Sequence, residues 1–322
     1  MTAPTNAVLT TTLVGQREDL EDVIYRVAPE DTSFTSNIGK VSATARFHEW
    51  QTETLANPDA TNAQLEGDDY AAAAGNNPTR LGNYCQISAK AFTISRTTDI
   101  VNKAGRDTET ARHKAIRGLE LRRDIEARAI GNYASVNESG ATTRKSAGAL
   151  AWITTNDSRG GGSGADGGFS GGVVSAATNG TQRALTESLL KTVMANLFNS
   201  RGGSTARGYQ AYMGATHKQA FSAFTGISAQ RTDTGTTGMA TIMGAADTYL
   251  SDFGKITLIP HPYGLSRDVL IVDPDMWAIA TLDGMKTKQL GATGDAEKWL
   301  ITKEWTLVAR NEKASSVIAD LS

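Results

Sequence analysis

The sequence predicts a mixed α+β protein, and three observations carry that reading. One long charged helical run covers 104–131. Short strand patterns follow residue 205 and end in a strictly alternating stretch at 299–308. Two further strand patterns, at 47–50 and 83–88, are separated by a long turn-rich segment. At roughly 100–200 residues per domain, the 322 residues allow about two domains and a substantial core.

Residues 1–15 are small, polar and without period, and read as a flexible arm. Leu20, Val23, Ile24 and Val27 then share one helical face, closed by Pro29. Between Leu55 and Leu81 lie about 25 residues of turn chemistry, including Asn57-Pro58-Asp59, Gly67-Asp68-Asp69 and Gly75-Asn76-Asn77-Pro78. A compact domain seldom carries so long a plain loop. Flanked by strands, the segment reads as a hairpin arm whose tip has no core of its own. On the return, Cys85, Ile87 and Ala89 share one face before Phe92 and Ile94 take the other. That change of phase predicts a bulge or bend where the arm meets the body.

The helix over 104–131 is capped by Asp107, stops at Gly131, and pairs Asp124/Arg128, Arg122/Glu126 and Glu120/Arg123 along a charged surface. A second helix starts at Thr186, with Leu185 and Leu190 as staple. Its buried stripe repeats through Leu189/Leu190, Val193/Met194 and Leu197/Phe198 to a stop at Gly202 or Gly203. Eight of the thirteen residues 160–172 are glycine, so 156–172 is expected as a surface loop without a packed core. Short strands follow at 255–260, 269–272 and 276–280. In the last long strand Trp299, Ile301, Lys303, Trp305 and Leu307 occupy one face, ahead of a short apolar end at Val317-Ile318.

Composition excludes several function classes. Lysine and arginine number 32 against 34 aspartate and glutamate, a formal charge of −2, which removes the broad basic surface of a DNA reader. One cysteine excludes an intrachain disulfide framework and cysteine-cluster metal sites. No stretch approaches the ~18 apolar residues of a membrane helix, so no membrane partner is expected. Met1-Thr2-Ala3-Pro4 lacks the basic and apolar regions of a secretory signal, so the glycan-like matches at Asn137, Asn156 and Asn179 read as chance. With 32 glycines and 39% hydrophobic residues, either the chain carries long loops or it gains buried surface from neighbours.

Catalytic chemistry finds little support. Gly168-Phe169-Ser170-Gly171-Gly172 fits the Gly-x-Ser-x-Gly pattern, but the nucleophile elbow needs a helix straight after it. Gly161–Gly167 resembles one turn of a calcium-binding β-roll, which binds only when stacked. His48, His113, His217 and His261 lack metal-ligand spacing and are expected as surface or capping residues. Cys85 reads as a small buried hydrophobe. Phosphate-cradling glycine motifs are absent. No catalytic residue, metal or cofactor is expected. Glu66, Asp68 and Asp69 make an acidic loop tip, solvated or facing a basic partner. Acids interleaved with Arg117, Arg122, Arg123 and Arg128 let salt bridging between subunits compete with DNA phosphate contact.

Taken in order, six segments resemble the major capsid proteins of tailed bacteriophages, with the Hong Kong 97-type fold. They are Pro29-Glu30-Asp31-Thr32-Ser33-Phe34, Phe47-His48-Glu49-Trp50-Gln51-Thr52-Glu53-Thr54-Leu55 and Asn83-Tyr84-Cys85-Gln86-Ile87. Ile94-Ser95-Arg96-Thr97, Arg123-Asp124-Ile125-Glu126 and Leu307-Val308-Ala309-Arg310-Asn311-Glu312-Lys313-Ala314 complete the set. The likeness runs through nearly the whole chain, and the order and spacing carry it. It implies an N-terminal arm (1–45), an extended loop (46–84) and a peripheral domain (85–204) built on the spine helix. An axial domain (205–297) and a C-terminal strand (298–322) returning to the peripheral domain would follow.

The resemblance further implies a structural protein that assembles with itself into hexamers and pentamers of an icosahedral head enclosing dsDNA. Such a head is assembled in the bacterial cytoplasm, with a portal and a decoration protein among its partners. Flat subunits with long arms bury their surface in one another, through contacts typically above ~2,000 Å². Candidate contact residues are Trp50, Glu53, Glu66, Asp68, Asp69, Arg80, Arg122 and Arg123. About 45 residues precede the arm, in place of the long scaffolding segment of some relatives, so a separate scaffolding protein is expected. No lysine lies between Phe47 and Ala89, so the loop-lysine crosslink of certain relatives is not expected. A near-neutral charge suits a wall around DNA that must later leave. The competing readings are another virion or surface-lattice structural protein and a serine hydrolase using Ser170.

Overall fold

The computed structural model describes residues 31–67, 69, 75, 77–101, 108–201, 208–224, 247–291 and 294–322. The helix expected over Leu20–Val27, the cap Asp107, the stops Gly202 and Gly203, and Asp68 lie outside the described residues.

A short helix α1 (Ser33–Asn37) leads into β1 (Gly39–Ser42), and β2 (Phe47–Thr52) pairs antiparallel with β3 (Thr79–Tyr84). After one residue the chain resumes as β4 (Gln86–Ser95), then α2 (Arg96–Ile100) and the long α3 (Glu109–Ile130). At ~1.5 Å per residue the 22 residues of α3 span about 33 Å. Its first turn is capped from a distance, because the Asp99 carboxylate accepts from the Glu109 amide (2.7 Å) and the Thr110 hydroxyl (2.6 Å).

The ion pairs along α3 differ from those expected. Arg112 meets Glu109 and Arg117 meets Glu120, both at 2.6 Å, while Asp124 reaches Lys90 on β4 at 2.7 Å. Glu126 turns inward and is fully buried.

Next come α4 (Ala149–Trp152), β5 (Asp157–Ser158), β6 (Gly168–Ser170), β7 (Val173–Ser175) and α5 (Glu187–Ser200). The Thr186 hydroxyl accepts from the Leu189 amide, the cap expected for α5. Then follow β8 (Gly208–Met213), α6 (Ala215–Ser222), β9 (Thr248–Ser251), β10 (Gly254–Pro260), β11 (Val269–Val272), β12 (Trp277–Leu290), β13 (Ala296–Ala309) and β14 (Ser316–Ile318).

Two sheets organise these elements. The four-stranded sheet runs β1-β12-β13-β4, with β1 parallel to β12 and the other pairs antiparallel. The six-stranded sheet runs β5-β14-β11-β8-β10-β9. Every residue of β11 is buried because both faces are covered. Val269 and Ile271 pack with Leu190, Val193, Met194 and Leu197 of α5 and with Phe221 of α6. Leu270 and Val272 face the main core of Phe34, Leu121, Ile125, Trp277, Trp305 and Leu307. A run of four apolar residues without alternation is the sequence pattern of such a strand.

Four expectations change here. The strand expected at 276–280 continues to Leu290 and belongs with β13, not with β8–β11 as the 205–297 division would have it. The C-terminal stretch divides likewise: β13 joins the four-stranded sheet and β14 the six-stranded one. The change of phase near the arm falls at Cys85, so Ile87 is exposed rather than sharing the buried face of Cys85. The glycine-rich loop is packed in part. Phe169 stacks on Trp152 with ring centroids 5.9 Å apart, and the Gly160 amide donates to the Asp320 carboxylate at 3.1 Å. A Cβ at Gly160 would strike the Thr181 carbonyl, so this glycine serves close approach of two backbones.

Candidate functional site

The feature that projects from the body is the arm β2–β3. Trp50 opposes Leu81 and Glu49 opposes Gly82, with the Phe47 ring lying where a Cβ of Gly82 would stand. Arg80 holds Glu49 through a forked contact, both carboxylate oxygens 2.7 Å from one guanidinium nitrogen. Trp50 is partly buried against the body, its ring 5.4 Å from Trp152.

A buried polar hub fixes the root. The Asn83 side-chain amide donates to the Leu307 carbonyl (2.8 Å) and the Ser146 hydroxyl (3.2 Å), and its oxygen accepts from the Ala147 amide (3.0 Å). Ser146 continues the network to the Thr306 hydroxyl (3.1 Å) and the Leu307 amide (3.1 Å). Beside it the Cys85 amide donates to the Arg46 carbonyl at 2.7 Å. Burial pushes the Cys85 thiol up to about 11, so it is an inert packing group as expected.

Beyond Thr52 and Thr79 the described residues of the tip are all exposed, Leu55 at 87% and Leu65 at 76%. Glu53, Glu66 and Asp69 make the described tip acidic. The Asp59 carboxylate accepts from the Thr61 amide (2.8 Å) and hydroxyl (2.6 Å), a local turn that holds it below the usual carboxylate range.

On α3, Arg122 is exposed near Lys303 and Lys40. Burial, with those two charges, pulls the Lys303 ammonium below its ordinary value. Arg123 is engaged within the chain, its Nε donating to the Tyr263 hydroxyl at 3.0 Å. The seven described contact candidates separate by place: Glu53, Glu66 and Asp69 lie on the exposed tip and Arg122 on the exposed face of α3, while Trp50 packs on Trp152, Arg80 holds Glu49 and Arg123 meets Tyr263.

Sequence reasoning missed three features. The outer half of β12, from Gly284 to Leu290, is an exposed edge, although β13 beside it is paired on its other side with β4. Glu126 accepts from the Phe34 amide (2.7 Å), the Thr35 amide (2.9 Å) and His261 Nε2 (2.8 Å), clamping α1 to α3. His217 and His261, expected as surface or capping residues, are 2% and 4% exposed. Nothing in their sequence neighbourhood signals that burial.

Ser170 ends strand β6 and is followed by the Gly171-Gly172 turn into β7. A strand–turn–strand hairpin is not the strand–turn–helix of a nucleophile elbow, so the hydrolase reading has no geometric support. Among the described residues no group of three or more His, Cys, Asp or Glu could hold a metal, and no helix is long and apolar enough to cross a membrane.

A spine helix across a four-stranded sheet, a second sheet with the C-terminal strand β14 in its interior and a two-stranded arm make the architecture of the Hong Kong 97-type fold. Solved structures bear out that fold. The chain is 13% identical to a subunit of the cyanophage A-1(L) capsid, with 97% and 98% of the two chains covered and a TM-score of 0.62. It is 13% identical to a subunit of the native GTA particle capsid, with 99% and 100% covered and a TM-score of 0.61. A family model described as SU10 major capsid protein matches residues 4–322, and the chain belongs to that family. The major capsid protein of Escherichia phage Phieco32 is 33% identical over 113 residues, 35% of this chain. The match spans about a third of that relative's length, 32%.

Proposed function

We propose that this major capsid protein builds an icosahedral phage head around dsDNA by assembling into hexamers and pentamers, each arm lying over a neighbouring copy. The observation that carries the reading is the arm itself: a rigid, hub-anchored root bearing a tip with exposed Leu55 and Leu65 and no core beneath. In this reading the four-stranded sheet with α3 is the peripheral part and the six-stranded sheet the axial part. The acidic tip residues Glu53, Glu66, Asp68 and Asp69 meet the cationic group of Arg122, Lys40 and Lys303 on the next copy, while Trp50, Arg80 and Arg123 set the geometry of their own subunit. The role is structural, without catalysis. A separate scaffolding protein, a portal and a decoration protein are the partners proposed, with the shell of the virion as final location.

Electron microscopy of the protein expressed with its scaffold tests this directly. Capsomers or closed shells are the expected result. A well-behaved monomer under all assembly conditions would overturn it.

A further inference from the structure

The glycine-rich segment 160–168 carries no side chain larger than that of Asp166, so it has almost no apolar surface with which to hold itself on the body. Polar contacts hold it instead. The Gly160 amide donates to Asp320, the Thr181 amide donates to the Gly161 carbonyl at 2.8 Å, and Ala165 and Thr178 exchange backbone bonds of 3.3 and 2.8 Å. Asp166 is the one charged side chain of the segment, and it accepts from Arg159 Nε at 2.6 Å. Gly162 and Gly168, at φ 92° and 98°, stand on either side of Ala165-Asp166 and give the backbone two places to turn.

Arg159 serves two carboxyl groups with one N–H. Its Nε also lies 3.0 Å from Asp157 Oδ2 on β5, and the two side chains are mostly buried, 11% and 17% exposed. The carboxyl groups of Asp157 and Asp166 are hydrogen-bonded to each other. Carboxylate oxygens only accept, so such a bond requires a proton on one partner. Asp157 holds it. Burial, and then the bond to Asp166, push the Asp157 carboxyl up to about 6. Asp166 is also partly buried, but the bonds it accepts from Asp157 and Arg159 keep it below the usual carboxylate range.

The surrounding charges leave no spare cation. Asp268, ahead of β11, lies in the field of Arg159 and Asp320. Asp320, after β14, is paired with Arg267 at 3.1 Å, and Arg183 donates to the Ser158 carbonyl at 2.6 Å. These three arginines face four carboxyl groups, so loss of the shared proton adds a negative charge where the cations are already engaged.

We propose that the Asp157–Asp166 pair, seated on Arg159, is a proton-operated latch that closes segment 160–168 onto the six-stranded sheet and loosens it when the shared proton leaves. Docking brings Asp166 against Asp157 and so strengthens Asp157's hold on its proton. The sign follows: docking is favoured at low pH and weakens as pH rises through about 6. A hold on the proton stronger by about tenfold means docking tighter by about tenfold. The latch lies within one chain and is independent of assembly.

The test is residue-resolved amide hydrogen exchange on the purified full-length chain, corrected for the pH dependence of exchange in free amides. Ala165, Thr178 and Thr181 report docking, because their amides make the bonds that join the segment to 178–181. In the wild type their protection should fall about tenfold between pH 5 and pH 7.5, with a midpoint near pH 6. Asp157→Asn places a permanent neutral donor against Asp166 and should keep the pH 5 protection at pH 7.5. Equal wild-type protection at the two pH values overturns the proposal. So does a fall that survives in Asp157→Asn and disappears in Asp268→Asn, which assigns the proton to the other carboxyl. Asp166→Ala, a change on the exposed side of the pair, keeps the test decisive if Asp157→Asn fails to fold. Low protection at both pH values is expected there, and a wild-type profile overturns the latch.

Discussion

Asn83 shows how much one buried side chain can decide. It joins the arm root to β13 and to the Ser146-Ala147 segment through bonds of 2.8 to 3.2 Å, all inside the core. Asn83→Ala strands several buried donors and acceptors at once, so a loss of about 3 kcal/mol is expected by chemical unfolding. Asp268 works in the opposite sense. Burial pushes its carboxyl up to about 6, above the ordinary 3.8. The folded state therefore binds more protons than the unfolded chain between about pH 4 and pH 6. This group's stabilising contribution is full below about pH 4, falls through that window, and leaves a penalty above it. Asp268→Asn should raise stability at pH 7.5 by about 1–2 kcal/mol and flatten its decline between pH 4 and 6. Denaturant midpoints measured across that range check both sign and window. Asp157, also raised to about 6 by burial and by its hydrogen bond to Asp166, adds to the slope that remains.

Among the elements, those that pack on the body were legible and those that leave it were not. α5 shows a repeating apolar stripe because one face meets β11, and the inner half of β13 alternates because Ile301, Trp305 and Leu307 all point into one core. The outer half of β12, from Gly284 to Leu290, is exposed throughout. With no core beneath either face, selection for hydrophobic alternation is absent and the strand has no sequence signature. The arm was found by other means, from a turn-rich stretch too long for a plain loop. Glu126 and His261 escaped notice because their partnership joins α3 to the end of β10, across 135 residues. The division between root and tip yields a prediction at this scale. Replacing residues 55–77 by a two-residue Asn-Gly turn should leave the unfolding midpoint within about 2 °C, because the exposed tip supports no core. Shell formation, scored by electron microscopy, should be lost.

For the whole molecule, the thin apolar fraction and the near-neutral charge acquire one explanation. The body is well packed, and much of the polar surplus lies in the exposed described residues of the arm tip, which the proposed assembly would cover. Arg122→Glu should change subunit stability by no more than about 0.5 kcal/mol, because the side chain is exposed, yet prevent assembly. Combining it with Glu53→Lys and Glu66→Lys should restore particles in part, as counted in micrographs. The way the arm joins the body has a mechanical consequence. Its two strands are continuations of β1 and β4, which are the opposite edges of the four-stranded sheet. The two edge strands run parallel to each other whereas the arm's strands are antiparallel, so the arm joins the sheet at both margins and a pull on its tip is divided between them. In the proposed head, a load carried through the arm would therefore bear on both margins of the subunit's own sheet.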